Sequence, residues 1–248
     1  GERDILTESS ELRICTKYIG YTQNVINYLE KNMNCFLPNL KKPKFFEVGS
    51  VSKKVNYITN NKIPKTRILL CAGKFFGISR FFNNLGDPDI RLYKIHKSFL
   101  KVAEEFSEKY EFVLKANNTL MFNHLPYERS DSYSLNYKDR FTDLLVDSKA
   151  VILDTPATTL IEALSTTVPI FAIKGRCLYT KEFIEMSAKR VCWCDDNLDL
   201  ENKLKEFLDK GIYNADVNNK EFMKAYLGEN NVDFIWRKVD KILQISLE

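Results

Sequence analysis

The hydrophobic pattern of this chain becomes regular at about residue 66. From there on, short apolar runs alternate with longer stretches in which apolar residues recur every three or four positions. The runs are RILLCAG (from Arg67), EFVLKA (from Glu111), Ala150 to Leu153, Pro169 to Ile173 and VCWC (from Val191). Bounded by glycine, proline or polar residues, they read as strands buried on both faces. Between and after them, helical spacing predicts helices near Leu92–Tyr110, Tyr137–Asp147, around Glu162, and near Lys181–Ala188, Leu198–Lys210, Asn219–Tyr226 and Val232–Ile245. Five apolar strands separated by helices predict an α/β fold with a doubly wound, mostly parallel sheet from residue 66 to the end.

The first part of the chain is different. TESSE (7–11) reads as a helix start, and QNVINYLEKNM (23–33) places Val25, Ile26, Leu29 and Met33 on one helical face. FFEVGS (45–50) reads as a short strand ended by Gly49, and the Asn- and Lys-rich residues 50–65 read as a linker closed by Pro64. The expected domains are therefore an N-terminal helical segment and linker, 1–65, and an α/β domain, 66–248. Asn117 to Asn136 is a long stretch with weak structural signals, shortened by a strand near Tyr133–Leu135; loops of that length inside a domain tend to be functional or disordered.

Composition narrows the classes. A chain of 248 residues, 44% hydrophobic, can bury a sizeable core. The net charge of +4 is spread without blocks, which gives no footprint for nucleic acid and suits a small anionic ligand. Six cysteines are too sparse for a disulfide scaffold and point to a reducing compartment. Cys192 and Cys194 would share one face of a strand, but two histidines in the whole chain leave a zinc site short of ligands. No apolar run reaches the ~18 residues of a membrane span, so the expectation is a soluble protein.

In a parallel sheet the carboxyl ends of the strands lie along one edge, so residues following each strand share a crevice. Those residues are Gly73, Lys74 and Arg80 after the first strand, Lys115 after the second, Asp154, Thr155, Thr158 and Thr159 after the Ala150–Leu153 run, and Lys174 to Arg176 after PIFAI. Amides freed by glycine, hydroxyls, helix starts and cations are the groups a phosphate ester needs. A carboxylate one turn into the helix, Glu162, suits the hydroxyls of a ribose. Each has a structural alternative: Thr155 with Pro156 fits an N-cap, and Thr159 with Glu162 fits a capping box. AGKFFGISR (72–80) matches neither G-x-G-x-x-G nor the P-loop. His96 falls within a helix face, the usual place of a packed or exposed histidine, and His124 lies on the long loop.

The stretch DTPATTLIEALSTTVPIFAI (154–173) resembles the donor-binding signature of GT-B glycosyltransferases and of related capsule, teichoic-acid and surface-carbohydrate transferases. The order around it is similar too: FFEVGS before a linker, the cationic turn CAGKFFGISR, a strand ending in lysine (FVLKA), and a late FMKAYL helix before an amphipathic terminal helix. The likeness covers residues 44–248. It implies a Rossmann-like GT-B half with helical additions at both ends, moving sugar from a nucleotide-activated donor to a glycan or surface-polysaccharide acceptor. It implies Thr158 and Thr159 near phosphate, Glu162 near ribose, and Lys74, Arg80 or Lys115 offsetting phosphate charge.

The scheme needs no metal and no cofactor, and it assigns no catalytic residue. Several surface-carbohydrate transferases continue the second strand with Lys-Pro-His-Pro, whereas Lys115 is followed here by Ala116, Asn117 and Asn118. The implied partners are a nucleotide-sugar donor and a glycan acceptor, without nucleic acid; the implied location is cytoplasmic, with room for peripheral association with the inner membrane face. GT-B enzymes resemble two facing Rossmann-like domains, and residues 1–43 cannot supply one. The expectation is a donor-binding half of a larger protein, or a reduced form completed by a partner subunit. Two alternatives stay open: a non-hydrolysing sugar-nucleotide 2-epimerase, which shares the fold, and a non-catalytic nucleotide- or glycan-binding module.

Overall fold

Strand β1 (Lys17–Gly20) pairs in parallel with β2 (Lys44–Glu47), and helix α1 (Gln23–Phe36) connects them. The computed structural model in which they are seen describes residues 16–36, 43–49, 65–73, 75, 89–116, 127, 130–175, 179–228 and 232–244. The chain divides into two compact units, residues 56–219 and a second made of 1–55 together with 220–248.

In the larger unit the apolar runs become strands β3 (Arg67–Cys71), β4 (Glu111–Lys115), β5 (Ser134–Asn136), β6 (Ser148–Leu153), β7 (Ile170–Ile173) and β8 (Val191–Cys194). They form one sheet in the order β5-β4-β3-β6-β7-β8, with every pairing parallel. The helices are α2 (Asp89–Phe106), α3 (Phe141–Val146), α4 (Thr158–Leu164), α5 (Lys181–Ser187) and α6 (Asn197–Lys210). This is the doubly wound, Rossmann-like α/β architecture.

The runs are continuous because both faces are covered. Ile68, Leu69 and Leu70 of β3 and Ala150 to Leu153 of β6 are all fully buried. Each such aliphatic side chain contributes about 1.5–3 kcal/mol on burial, which outweighs the small differences in local propensity. Helix α2 lays Leu92, Ile95, Phe99, Val102 and Ala103 into the core at helical spacing and packs on α6. Helix α6 is bounded by its own chemistry: Asp196 accepts from the amides of Leu198 and Asp199, and Gly211 ends it at φ 72°. Arg190 is buried immediately before β8, donating to the carbonyls of Thr166 (2.9 Å) and Val168 (2.8 Å) and to Tyr213 Oη (3.4 Å).

The smaller unit contains β1, β2, α1 and the last two helices, α7 (Glu221–Leu227) and α8 (Val232–Gln244). Residues 220–248 were expected to continue the α/β domain; they group instead with the N-terminal segment. The reason is apolar coverage. Val48 is buried with Ile235 and Ile242 of α8, with Phe46 and Val239 packed alongside, so the terminal helix supplies the core that a two-stranded ribbon cannot build. Thr22 Oγ1 donates to the Ala225 carbonyl at 2.8 Å and ties α7 to the same unit. Strand β1 is too short and polar to be read from its sequence, KYIG. The TESSE segment, and most of the 50–65 linker, lie outside the described residues. Among the described residues no helix is long and apolar enough to cross a membrane.

Candidate functional site

The chain runs outward from β3 to β4 and β5 on one side and from β6 to β7 and β8 on the other. The strand order therefore reverses between β3 and β6, and the carboxyl ends of those two strands form the crevice of a doubly wound sheet. Register aligns Cys71 with Lys115 on one side and with Leu153 on the other, so the residues just beyond share one edge.

Two of the predicted residues are joined directly. The Gly73 amide donates to the Asp154 carboxylate, 2.9 Å to Oδ1 and 2.7 Å to Oδ2. Asp154 is only 1% exposed, and its Oδ2 also lies 2.5 Å from His96 Nε2. Asp154 thus faces inward and closes the turns rather than presenting a charge to the crevice. The Gly73 amide is likewise taken, which corrects the expectation that it is free for phosphate. What Gly73 contributes is closeness: a Cβ there would stand 2.8 Å from Thr155 Oγ1 and 3.1 Å from Asp154 Oδ1.

The hydroxyls lie on the other lip. Thr155 and Thr158 are exposed and Thr159 is half-buried. Helix α4 begins at Thr158 with Ala157 at its N-cap and no side-chain cap bond, so neither the Thr155 cap nor the Thr159–Glu162 capping box forms. Glu162 is half-buried, its carboxyl raised above the ordinary glutamate range by burial, and no cation or donor engages that carboxyl among the described residues. A desolvated carboxylate left without a donor is ready to accept hydroxyls.

Lys115 is 7% exposed, and its Nζ donates to the Ala116 carbonyl at 2.5 Å. Burial lowers its pKa from the ordinary lysine range, opposed by Cys71 and Asp139. A largely buried ammonium with one neutral acceptor is under-compensated, the condition in which an anion is welcome. Between these groups sits Cys71. Burial, together with the Asp154 charge, pushes its thiol up to about 12. Register sets Cys71 beside Lys115 of β4 and Leu153 of β6, and the Gly73 amide joins the same strand end to Asp154.

Lys74 and Arg80 lie outside the described residues, as do Arg176 and His124. Lys174 is brought to the sheet edge, where its Nζ is engaged by Asp195 Oδ1 at 2.6 Å and its carbonyl accepts from the Arg91 guanidinium. Among the described residues no three His, Cys, Asp or Glu side chains gather as a metal site would require.

The residue that sequence reasoning passed over is His96. It is fully buried on α2, edge-on to Phe75 (5.4 Å between centroids) and tilted against Tyr127 (5.7 Å), which in turn stacks on Tyr93. Two signals pointed to it: a histidine within an otherwise apolar helix stripe, and an aspartate at the end of a buried strand that needs a donor.

No sequence family and no curated protein matches the chain. Solved structures do. A ugt transferase from Siraitia grosvenorii in complex with UDP superposes with TM-score 0.51 at 10% identity, over 95% of this chain and 58% of that one. A mutant of S. aureus TarM in complex with fondaparinux, α-GlcNAc-glycerol and UDP gives 0.53 at 14%, over 95% and 46%. The fold is that of the GT-B glycosyltransferases. A UDP-N-acetylglucosamine 2-epimerase shares this GT-B-like fold, with TM-score 0.50 at 16% identity over 88% of this chain and 55% of its own. The chain spans about half the length of the GT-B structures it matches.

Proposed function

We propose that the Rossmann-like unit binds the nucleotide part of an activated sugar and serves as the donor-binding half of a glycosyltransferase. The observation that carries this reading is the layout of the strand ends at the β3/β6 reversal: Lys115, largely buried, is in register with Cys71, and the helix that follows β6 carries Glu162, half-buried and unengaged among the described residues. Glu162 accepts the ribose hydroxyls, Thr158 and Thr159 donate to the phosphates, and Lys115, with Lys74 or Arg80, supplies counter-charge. In the transfer step the sugar leaves a nucleoside phosphate, and the barrier is lowered by holding the donor in place and by stabilising the charge that develops on the departing phosphate.

Two of the fold relatives carry UDP, which makes UDP the first probe. Isothermal titration of UDP into the protein and into Glu162→Ala tests the reading: saturable binding that weakens about tenfold in the variant, the equivalent of one good hydrogen bond to a charged group, supports it. Binding that Glu162→Ala leaves unchanged argues for a module that holds its ligand elsewhere.

The epimerase reading is favoured by one observation, the shared fold with a UDP-N-acetylglucosamine 2-epimerase. Conversion of UDP-N-acetylglucosamine into its C2 epimer, with the nucleotide still attached and no acceptor present, separates it from transfer, which releases UDP only as a new glycoside forms.

A further inference from the structure

Asp154 is buried, and its carboxylate needs donors. Among the described residues it has two: the Gly73 amide, which approaches both oxygens, and His96 Nε2 at 2.5 Å. The two sit on different elements. Gly73 follows β3, Asp154 follows β6, and His96 is 0% exposed in the middle of α2. The histidine ring is held edge-on by Phe75 and tilted by Tyr127, so its direction is fixed before it meets the carboxylate. Its Nδ1 has no partner among the described residues, which makes Nε2 the nitrogen that carries the functional contact.

We propose that His96 is a positioning residue for the crevice: through Asp154 it holds the Gly73 turn against Thr155 and so sets the spacing of the two strand ends between which a nucleotide would lie. The physical argument is one of partners. With His96 the buried carboxylate accepts from a side chain and a main-chain amide; without it a single amide must satisfy a buried negative charge. The carboxylate then rotates or draws in water, and the Gly73 turn, which has no room for even a methyl group, loses the contact that keeps it there. His96 touches no ligand in this scheme; it acts through Asp154. The inference rests on the nucleotide-binding reading for its consequence and on the His96, Asp154 and Gly73 geometry for its mechanism.

The test separates the two. Amide exchange at Gly73, followed by NMR, reports the turn without any ligand, and UDP titration reports the crevice. His96→Ala is expected to speed Gly73 exchange at least about tenfold and to weaken UDP binding about tenfold, whereas His96→Gln, which keeps a donor facing Asp154, restores most of both. A folded alanine variant with unchanged Gly73 exchange overturns the proposal. Faster exchange with unchanged UDP affinity overturns its link to the crevice. If the intact protein binds no UDP, the nucleotide reading fails for that probe while Gly73 exchange still judges the relay.

Should His96→Ala not fold, the intact chain decides: an imidazole Nε2 proton held by Asp154 resonates far downfield, exchanges slowly and moves on UDP addition. Its absence, or its indifference to bound UDP, overturns the proposal. A loss of turnover with UDP affinity and Gly73 exchange both intact would make His96 catalytic, and would also overturn it.

Discussion

Gly73 and Thr155 stand so close that a methyl group on the first would lie 2.8 Å from the hydroxyl oxygen of the second. The contact joins the turn after β3 to the turn after β6 at the point where the strand order reverses. Gly73→Ala must displace the Thr155 hydroxyl and crowd the buried Asp154 carboxylate. It should destabilise the protein by about 1–3 kcal/mol, the usual range for overpacking, and weaken nucleotide binding beyond what stability explains. Gly211→Ala is the control: at φ 72° with open space around it, it should cost stability through backbone strain alone and leave nucleotide affinity intact. Urea denaturation and calorimetry on both variants check this.

Glu162 links pH to stability with a definite sign. Its folded pKa is raised above 4.5 by burial, so the folded state holds this proton more tightly than the unfolded chain. The ionised form is therefore penalised, and stability contributed at this site falls as pH rises from the unfolded value through the raised one. Glu162→Gln should match the wild type at acid pH and become more stable than it above that window. Asp199 and Glu201, whose carboxyls are held low by their lysine partners, slope the other way, so the comparison is variant against wild type. The same variant should bind UDP about tenfold less tightly.

Lys115→Met keeps the apolar stem and removes the buried ammonium. Because burial lowers the lysine pKa, the charged form is penalised below the folded pKa, and the wild type gains stability as pH rises through it. Near neutral pH the methionine variant should thus be as stable as the wild type or more so. It should nevertheless lose affinity for nucleoside diphosphates more than for nucleosides, which carry no phosphate. Thermal melts and paired titrations with UDP and uridine make the measurement.

Arg190 provides the contrast of a buried charge that serves structure. Its guanidinium satisfies the Thr166 and Val168 carbonyls, and a carbonyl left without its donor costs about 1–3 kcal/mol. Arg190→Met should lower the urea midpoint clearly while nucleotide affinity in the folded fraction stays as it was.

The sheet was legible in the sequence because strands buried on both faces leave continuous apolar runs, and five of its six strands announce themselves this way. Ser134–Asn136 is three residues long and half-exposed, so it left only a faint trace. The terminal helix was read as a helix but assigned to the wrong neighbour, since an amphipathic stripe shows that a face is buried and is silent on what covers it. At the site, strand ends located Gly73, Lys115 and Asp154 correctly along one edge. Their roles did not follow from position. Asp154 turned inward because His96, 58 residues away, waits beneath it, and no local pattern carries that pairing. Capping was the structural alternative for Thr155 and Thr159, and the start of α4 at Thr158 without a side-chain cap removes it.

The central claim is that the β3/β6 crevice holds a nucleotide. Adding UDP, GDP, CDP and CMP in turn and following the melting temperature tests it most directly, because a ligand that binds only the folded state must stabilise it, by about 2.7 kcal/mol at a hundredfold excess over Kd. The account predicts that at least one of the four raises the melting temperature of the wild type, and that the rise shrinks in Glu162→Gln and Lys115→Met. A melting temperature that none of the four moves at millimolar concentration would contradict it.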